Sequence, residues 1–213
     1  QSISAFTGSD IKIMTRDFEK LFGFRKTLTL DKTFRFNQTL CDITNEFILR
    51  NKYQLRKKVK SNIQKNNQRI VEFHDLKIDE LSSDFKNNEN KEIFEKYYLF
   101  LFLNKINKHL TGNTTILTRY NYYKYIKALK KQEIKSLLSK YKNIQWSTVT
   151  GFKGKESDNI IIDRLQSGYF GFPAEIPEDP ILFLVKNFDP NEMKDAEERR
   201  FFYVALTRAK KKI

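Results

Sequence analysis

Residues 144–163 read IQWSTVTGFKGKESDNIIID, two β-branched runs joined by a loop that carries both of its glycines. Ile144 to Val149 and Asn159 to Asp163 are short, apolar and bounded by polar residues, which predicts strands covered on both faces, as in a parallel sheet flanked by helices. Thr114 to Leu117 has the same character and predicts a third compact strand. Strands of this kind alternating with helical periods, without internal repeats, indicate an α/β open sheet.

Outward from that core, Ser9 or Asp10 is placed to cap a helix. Its apolar residues are Ile11, Met14, Phe18, Leu21 and Phe22, with Gly23 as the stop. A short strand is expected at about Lys26 to Leu30, leading into Thr33-Phe34-Arg35-Phe36. Leu40, Ile43, Phe47 and Ile48 then form the apolar stripe of a second helix. Residues 53–90 are polar and lysine-rich, relieved by Arg69 to His74, which reads as one strand. Further helices are expected at about Lys91 to Leu110, ended by Gly112, at Arg119 to Leu129, and at Gln132 to Tyr141. Gln166 to Pro190 contains all four prolines and reads as irregular. A last helix runs from about Asp195 to Arg208.

Composition narrows the partner. The 213 residues carry 40 Lys and Arg against 26 Asp and Glu, a formal charge of +14, so a polyanion suits the chain better than an acidic receptor. An AT-rich coding sequence would also enrich Lys, Asn, Ile, Phe and Tyr, so charge alone does not decide for nucleic acid. With 19 Phe and 10 Tyr the chain is too aromatic for intrinsic disorder. One cysteine, Cys41, excludes an internal disulfide, and two histidines make metal chemistry improbable. No apolar run reaches the roughly 20 residues of a membrane helix, and no signal peptide is legible, so a reducing cytoplasm is expected and no membrane partner.

Gly151-Phe152-Lys153-Gly154-Lys155 superficially suggests a phosphate loop, but it lacks the G-x-x-x-x-G-K-[ST] spacing and reads as a tight turn. No acid pair, Ser-His-Asp set or Cys-His set offers a hydrolytic base. The ordered combination of segments is more specific than any one of them. Gln1-Ser2-Ile3-x-x-Phe6-x-Gly8, Thr33-Phe34-Arg35, Thr148-Val149-Thr150-x-Phe152-Lys153-Gly154-x-Glu156-x-Asp158 and Glu197-Glu198-Arg199-Arg200-x-x-Tyr203-Val204-Ala205-Leu206-Thr207-Arg208-Ala209 follow in this order. They resemble motifs III, IV, V and VI of the superfamily 1 UvrD/Rep-like DNA helicases. Phe34-Arg35-Phe36, Ile116 to Tyr120 and Gly168-x-x-Gly171-Phe172-Pro173 are most similar to the DNA helicase IV type. The short spacing between motifs IV and V leaves no room for a 2B insertion.

The resemblance implies a RecA-like P-loop NTPase lobe, the helicase 2A domain, with a mostly parallel sheet and helices on both faces. Residues 1–24 would be the end of domain 1A and the interlobe connection, and 25–213 the 2A domain with a variable segment at 53–90. The Walker A lysine and Walker B acids would belong to the other lobe, so this chain would hold half of an ATP site and be inactive alone. The implied cofactors are ATP and Mg²⁺, bound mainly by that first lobe. The implied partners are single-stranded or partly duplex DNA and the 1A lobe of the same parent chain, with service in DNA repair.

By the same resemblance Arg208 and Arg35 would reach the γ-phosphate, where a planar, permanently charged guanidinium stabilises developing charge. Gln1 would sense that phosphate. Phe34 would stack on adenine in place of the more usual Tyr, with core packing as the alternative reading. Glu156, beside Gly154, would approach the ribose. For DNA, Phe6 would stack on a base, with Ser4 standing where a further aromatic is usual. Thr148, Thr150 and Lys153 would hold phosphates, Thr150 replacing a frequent His. Arg119 is suggested as a further phosphate contact at a helix start. Glu197 and Arg200 read as a helix-face ion pair. Two other parents remain open: an ATPase that remodels RNA polymerase, and a nuclease-linked helicase subunit.

Overall fold

The computed structural model describes residues 17–51, 54–65, 70–74, 110–121, 139, 143–169, 171–176, 181 and 196–213. The expected helices at Lys91 to Leu110 and Gln132 to Tyr141 lie outside these residues save at Leu110 and Ser139. So do the body of the helix expected to Leu129, the start of the first helix, and Gln1 and Phe6. The chain divides into two compact units, Gln1–Asn67 with Leu165–Thr207, and Gln68–Arg164 with Arg208–Ile213.

In the first unit a short helix, α1 (Phe18–Phe22), closes on Gly23 at φ 86°, as the glycine stop predicted. The described helix starts at Phe18 and none of its residues is fully buried, the Phe18 and Phe22 rings meeting each other at 5.1 Å. The strand expected at Lys26 to Leu30 is absent: Leu28 and Leu30 are 81% and 85% exposed, and alternation without a neighbouring strand yields no ladder. The strand is instead β1 (Lys32–Asn37). Asn37 ends β1 and caps the next helix, α2 (Gln38–Leu49), its side-chain oxygen accepting from Leu40 N at 3.1 Å.

The buried face of α2 is Leu40, Cys41, Thr44 and Ile48, with Thr44 Oγ1 donating to the Leu40 carbonyl at 2.8 Å. Ile43, expected inside, is 41% exposed. The face has rotated because α2 must cover β2 (Lys60–Ile63) as well as the helix of residues 196–206. Sequence reading missed β2, which pairs in parallel with β1 at Lys32↔Lys60 and Thr33↔Ser61. The helix α3 (Ala196–Leu206) buries Phe201, Val204, Ala205 and Leu206.

The second unit is a four-stranded parallel sheet in the order β4-β3-β5-β6, with β3 (Thr114–Thr118), β4 (Ile144–Thr148), β5 (Ser157–Ile162) and β6 (Ala209–Lys212). The first three are the strands read from sequence. β3 is buried at all five positions, as a central strand covered on both faces should be. β6 was not foreseen: the chain runs Ala-Lys-Lys-Lys there, and only Ala209 is buried against Ser157. Arg69 to His74 is not a regular strand in its described part. Ile213 N nevertheless donates to Ile70 O at 2.7 Å and Glu72 N to Ile213 O at 2.9 Å, the bond pattern of parallel pairing beyond β6. The fold is thus mixed α/β with parallel strands. No described helix is long and apolar enough to cross a membrane.

Candidate functional site

The parallel sheet sorts the candidate residues to opposite ends. β3 and β4 run in register to Thr118↔Thr148, so Thr148, Thr150 and Arg119 gather at the carboxyl edge. β5 and β6 begin together at Ser157↔Ala209, which puts Glu156 and Arg208 at the amino edge. The seven residue steps from Glu156 to Asp163 separate the edges by roughly 23 Å at about 3.3 Å per step.

At the carboxyl edge, Thr148 closes the turn that follows β4. Its Oγ1 accepts the Gly151 N–H at 3.0 Å, and Phe152 N donates to the Thr148 carbonyl at 3.0 Å. The Thr148 hydroxyl keeps its proton as a donor. Val149 N donates to Thr118 O at 3.0 Å, tying the turn to β3, and Val149 and Phe152 are buried beneath it. Thr150 and Lys153 are exposed, with Lys153 N donating to Thr150 O at 3.2 Å. Arg119 lies over the Tyr120 ring, 4.6 Å from its centroid, and Arg119 to Asn121 are not helical. The helix start expected at Arg119 is therefore corrected, since Thr118 Oγ1 instead donates to Tyr120 O at 2.6 Å and holds a tight bend.

The turn ends at Gly154, φ 86°, and β5 follows at once, so no helix presents its N-terminus to this loop and it is not a phosphate loop. At the amino edge Arg208 Nη1 donates to the Lys155 carbonyl at 3.4 Å, while Ser157 N donates to Arg208 O at 3.1 Å. The Glu156 carboxylate meets Lys210 Nζ at 2.7 Å. Two residues later Asp158 accepts from Asn113 N at 3.1 Å and faces Lys211 at 3.4 Å. The Asn113 N–H, reinforced by Lys211, holds the Asp158 carboxyl below its usual range. A Cβ at Gly112, φ 88°, would fall on that carboxylate, which explains glycine there. The motif V acids and the lysines after motif VI thus brace each other. Lys210 and Lys211 escaped the sequence reading, although acids at 156 and 158 facing a Lys-Lys-Lys run were a usable signal.

In the first unit Phe34 is 71% exposed, which overturns core packing as its role. The Arg35 guanidinium next to it is half-buried and donates from Nη1 to Thr207 O at 2.8 Å. Motif IV is therefore hydrogen-bonded to the end of motif VI, at the residue preceding Arg208. The rest of motif VI is packed: Arg199 lies 4.8 Å from the Phe47 ring centroid and donates to Phe47 O at 3.3 Å. Phe202 sits edge-on between Phe47 and Phe172, at 5.2 and 5.3 Å. Glu198 accepts from Ala174 N at 3.1 Å. Glu198 and Arg199 thus serve tertiary contacts. Phe172 of the Gly-Phe-Pro segment belongs to the same cluster.

A family model for the UvrD-like helicase C-terminal domain matches residues 78–213. The chain belongs to that family. The UvrD-like C-terminal domain here is also 28% identical, over 219 aligned residues, to DNA helicase IV of Escherichia coli (strain K12). That alignment covers 100% of this chain and 28% of the relative, so the chain spans little more than a quarter of that protein's length. Membership in the UvrD-like family gives the parallel α/β sheet its reading as a RecA-like helicase lobe, and gives the chain a helicase-family role.

Proposed function

We propose that this chain is the second RecA-like lobe, 2A, of an ATP-dependent 3′-to-5′ DNA helicase or single-strand translocase of the cytoplasm. It supplies half of an ATP site and part of the DNA-binding surface, and the 1A lobe of the same parent chain supplies the rest. The observation that carries the reading is Arg208 immediately before β6, anchored to the Lys155 carbonyl, with motif V and motif VI joined at one sheet edge.

The residues fit a nucleotide. Phe34 offers an open ring face for adenine, and Arg35 is held by a carbonyl that fixes its plane. Glu156 fits a ribose hydroxyl less directly, because Lys210 already occupies its carboxylate. ATP with Mg²⁺, held mainly by the first lobe, supplies the phosphoryl transfer that powers the motor. Arg208 and Arg35 stabilise charge on the phosphates, while Gln1 senses the terminal one. Thr148, Thr150, Lys153 and Arg119 hold the DNA backbone at the far edge, and Phe6 stacks on a base.

The two edges share β5 and one turn, and a hydrogen-bonded path runs from Arg208 O through Ser157 N, along β5 paired with β3, to Thr118 O and Val149 N beside Thr148. Domain opening and closing then alternates grip and release of the strand. The test is ATP turnover by the 213-residue chain alone, with saturating single-stranded DNA. The account expects none, because no Walker A loop is present in the sequence. Measurable DNA-stimulated turnover would overturn the half-site assignment.

A further inference from the structure

The extended segment leading into β2, together with the starts of β2 and β1, carries a row of cations outside the helicase motifs. From Arg56 to Asn62 the chain alternates: Arg56, Lys58, Lys60 and Asn62 are exposed, while Lys57, Val59 and Ser61 are half-buried. This is the period of an extended strand, which places alternate side chains about 6.6 Å apart along one side.

The phase is locked from beneath. Asn45 on α2 reads both backbone groups of Val59, its Oδ1 accepting from Val59 N at 3.1 Å and its Nδ2 donating to Val59 O at 2.6 Å. Cys41 Sγ also donates to Val59 O, at 2.9 Å. Ser61 N donates to Gln38 Oε1 at 2.8 Å, and Lys60 N to Asp31 O at 2.7 Å. A slip by one residue would break all of these, so Lys58 and Lys60 are held outward.

On the neighbouring strand Lys32 stands directly across from Lys60, both exposed. Like charges at paired positions destabilise a sheet. Residues 55–65 contain no acid, and Lys65 alone among their cations has a carboxylate partner among the described residues, Asp42. Asp31, exposed and adjacent to Lys32, is the one nearby acid on the approach to β1. A fixed, evenly spaced row of unneutralised cations complements an anionic polymer better than a compact ligand. The absence of side-chain specificity suits a phosphodiester backbone.

We propose that Arg56, Lys58, Lys60 and Lys32 form a second contact surface for the backbone of single-stranded nucleic acid, separate from the motif V turn. The test is fluorescence anisotropy of the 213-residue chain with a labelled oligothymidylate of about 20 nucleotides, longer than a typical single-strand site. Binding is measured between about 50 and 200 mM salt. Removing two phosphate contacts in Lys58→Gln/Lys60→Gln lowers the slope of log K against log salt by about 1.4, at about 0.7 per contact. Lys58→Arg/Lys60→Arg restores it, which separates lost charge from lost fold. Lys20→Gln/Lys26→Gln, two exposed lysines off the row, leaves it unchanged.

An unchanged slope in the first variant, an equal fall in the control pair, or no binding at the lowest salt overturns the proposal. Binding to phosphatidylserine vesicles that the first variant abolishes, with its oligonucleotide slope intact, also overturns it by assigning the row to an anionic surface. Nucleotide turnover does not enter the readout, so failure of the ATP half-site leaves this test standing.

Discussion

Asn159→Ala should weaken the sheet that sets the two edges apart. Asn159 is 2% exposed on β5, and its Nδ2 donates to Thr111 O at 3.0 Å and to Thr114 Oγ1 at 3.2 Å. Its backbone N–H, given to Asn113 O, survives the substitution. Two neutral side-chain bonds at about 1 kcal/mol each set an expected loss of about 2 kcal/mol, with Thr111 exposed enough for water to recover part of its share. The only tryptophan, Trp146, pairs across from Ile116 in the same sheet, so its fluorescence reports this unit directly. In urea, with a slope of about 2 kcal/mol per molar, the midpoint should fall by about 1 M. Asn159→Asp keeps the shape but replaces the donor with an acceptor aimed at a carbonyl, and should fall further. A midpoint within about 0.2 M of the parent, or an Asp variant as stable as the parent, would refute the bridge as a determinant of β3–β5 register.

Asp158 gives a pH dependence. Its carboxyl is held low in the folded state by the Asn113 N–H and by Lys211, so the stability it adds is complete above its unfolded value of about 3.9 and fades as pH falls through the folded value. Thermal melts should therefore show Asp158→Asn less stable than the parent at neutral pH, with the gap closing under acid; a gap independent of pH contradicts this. Gly171→Ala would drive a Cβ onto the Gln166 carbonyl oxygen, which already accepts from Phe172 N at 3.0 Å. The expected cost is about 1–3 kcal/mol, and an unchanged melting temperature by circular dichroism would show that the segment relaxes freely.

The central strands were legible because burial on both faces leaves a mark in the chain itself: β3, β4 and β5 are β-branched runs with polar boundaries. β6 was not, because three of its four residues are lysines whose partners, Glu156, Asp158 and Glu72, lie about 50 to 140 positions away. β2 hid in the lysine-rich segment for a related reason, since its register comes from Asn45 and Gln38 on α2 rather than from its own apolar residues. The reverse error occurred at Lys26 to Leu30, where strand-like alternation has no partner. On α2, Ile43 obeyed the helical period yet faces outward, because the helix serves two neighbours and Cys41 and Thr44 fill the inner face.

The candidate site divides along the same line. Residue identities at Phe34, Arg35, Thr148, Glu156 and Arg208 could be read in the chain, since each belongs to an ordered set of motifs. Their surroundings could not. That Phe34 is open, that Arg35 is tied to the Thr207 carbonyl, and that Lys210 holds Glu156 all depend on pairings over 50 to 170 positions. Sequence separated the nucleotide and DNA candidates by role, and the parallel sheet adds that Glu156 and Arg208 stand at one edge and Thr148, Thr150 and Arg119 at the other. Under the proposed function, that separation would let one lobe meet a nucleotide and a nucleic acid at once.

The most direct test of the proposed lobe is DNA-stimulated ATP turnover by a protein joining this chain to a first lobe with a Walker A loop, compared with its Arg208→Ala variant. The account predicts a fall of roughly 10³ to 10⁵, the contribution of a phosphate-facing arginine, with DNA affinity largely kept because the carboxyl-edge residues are untouched. Undiminished turnover in the variant would contradict it.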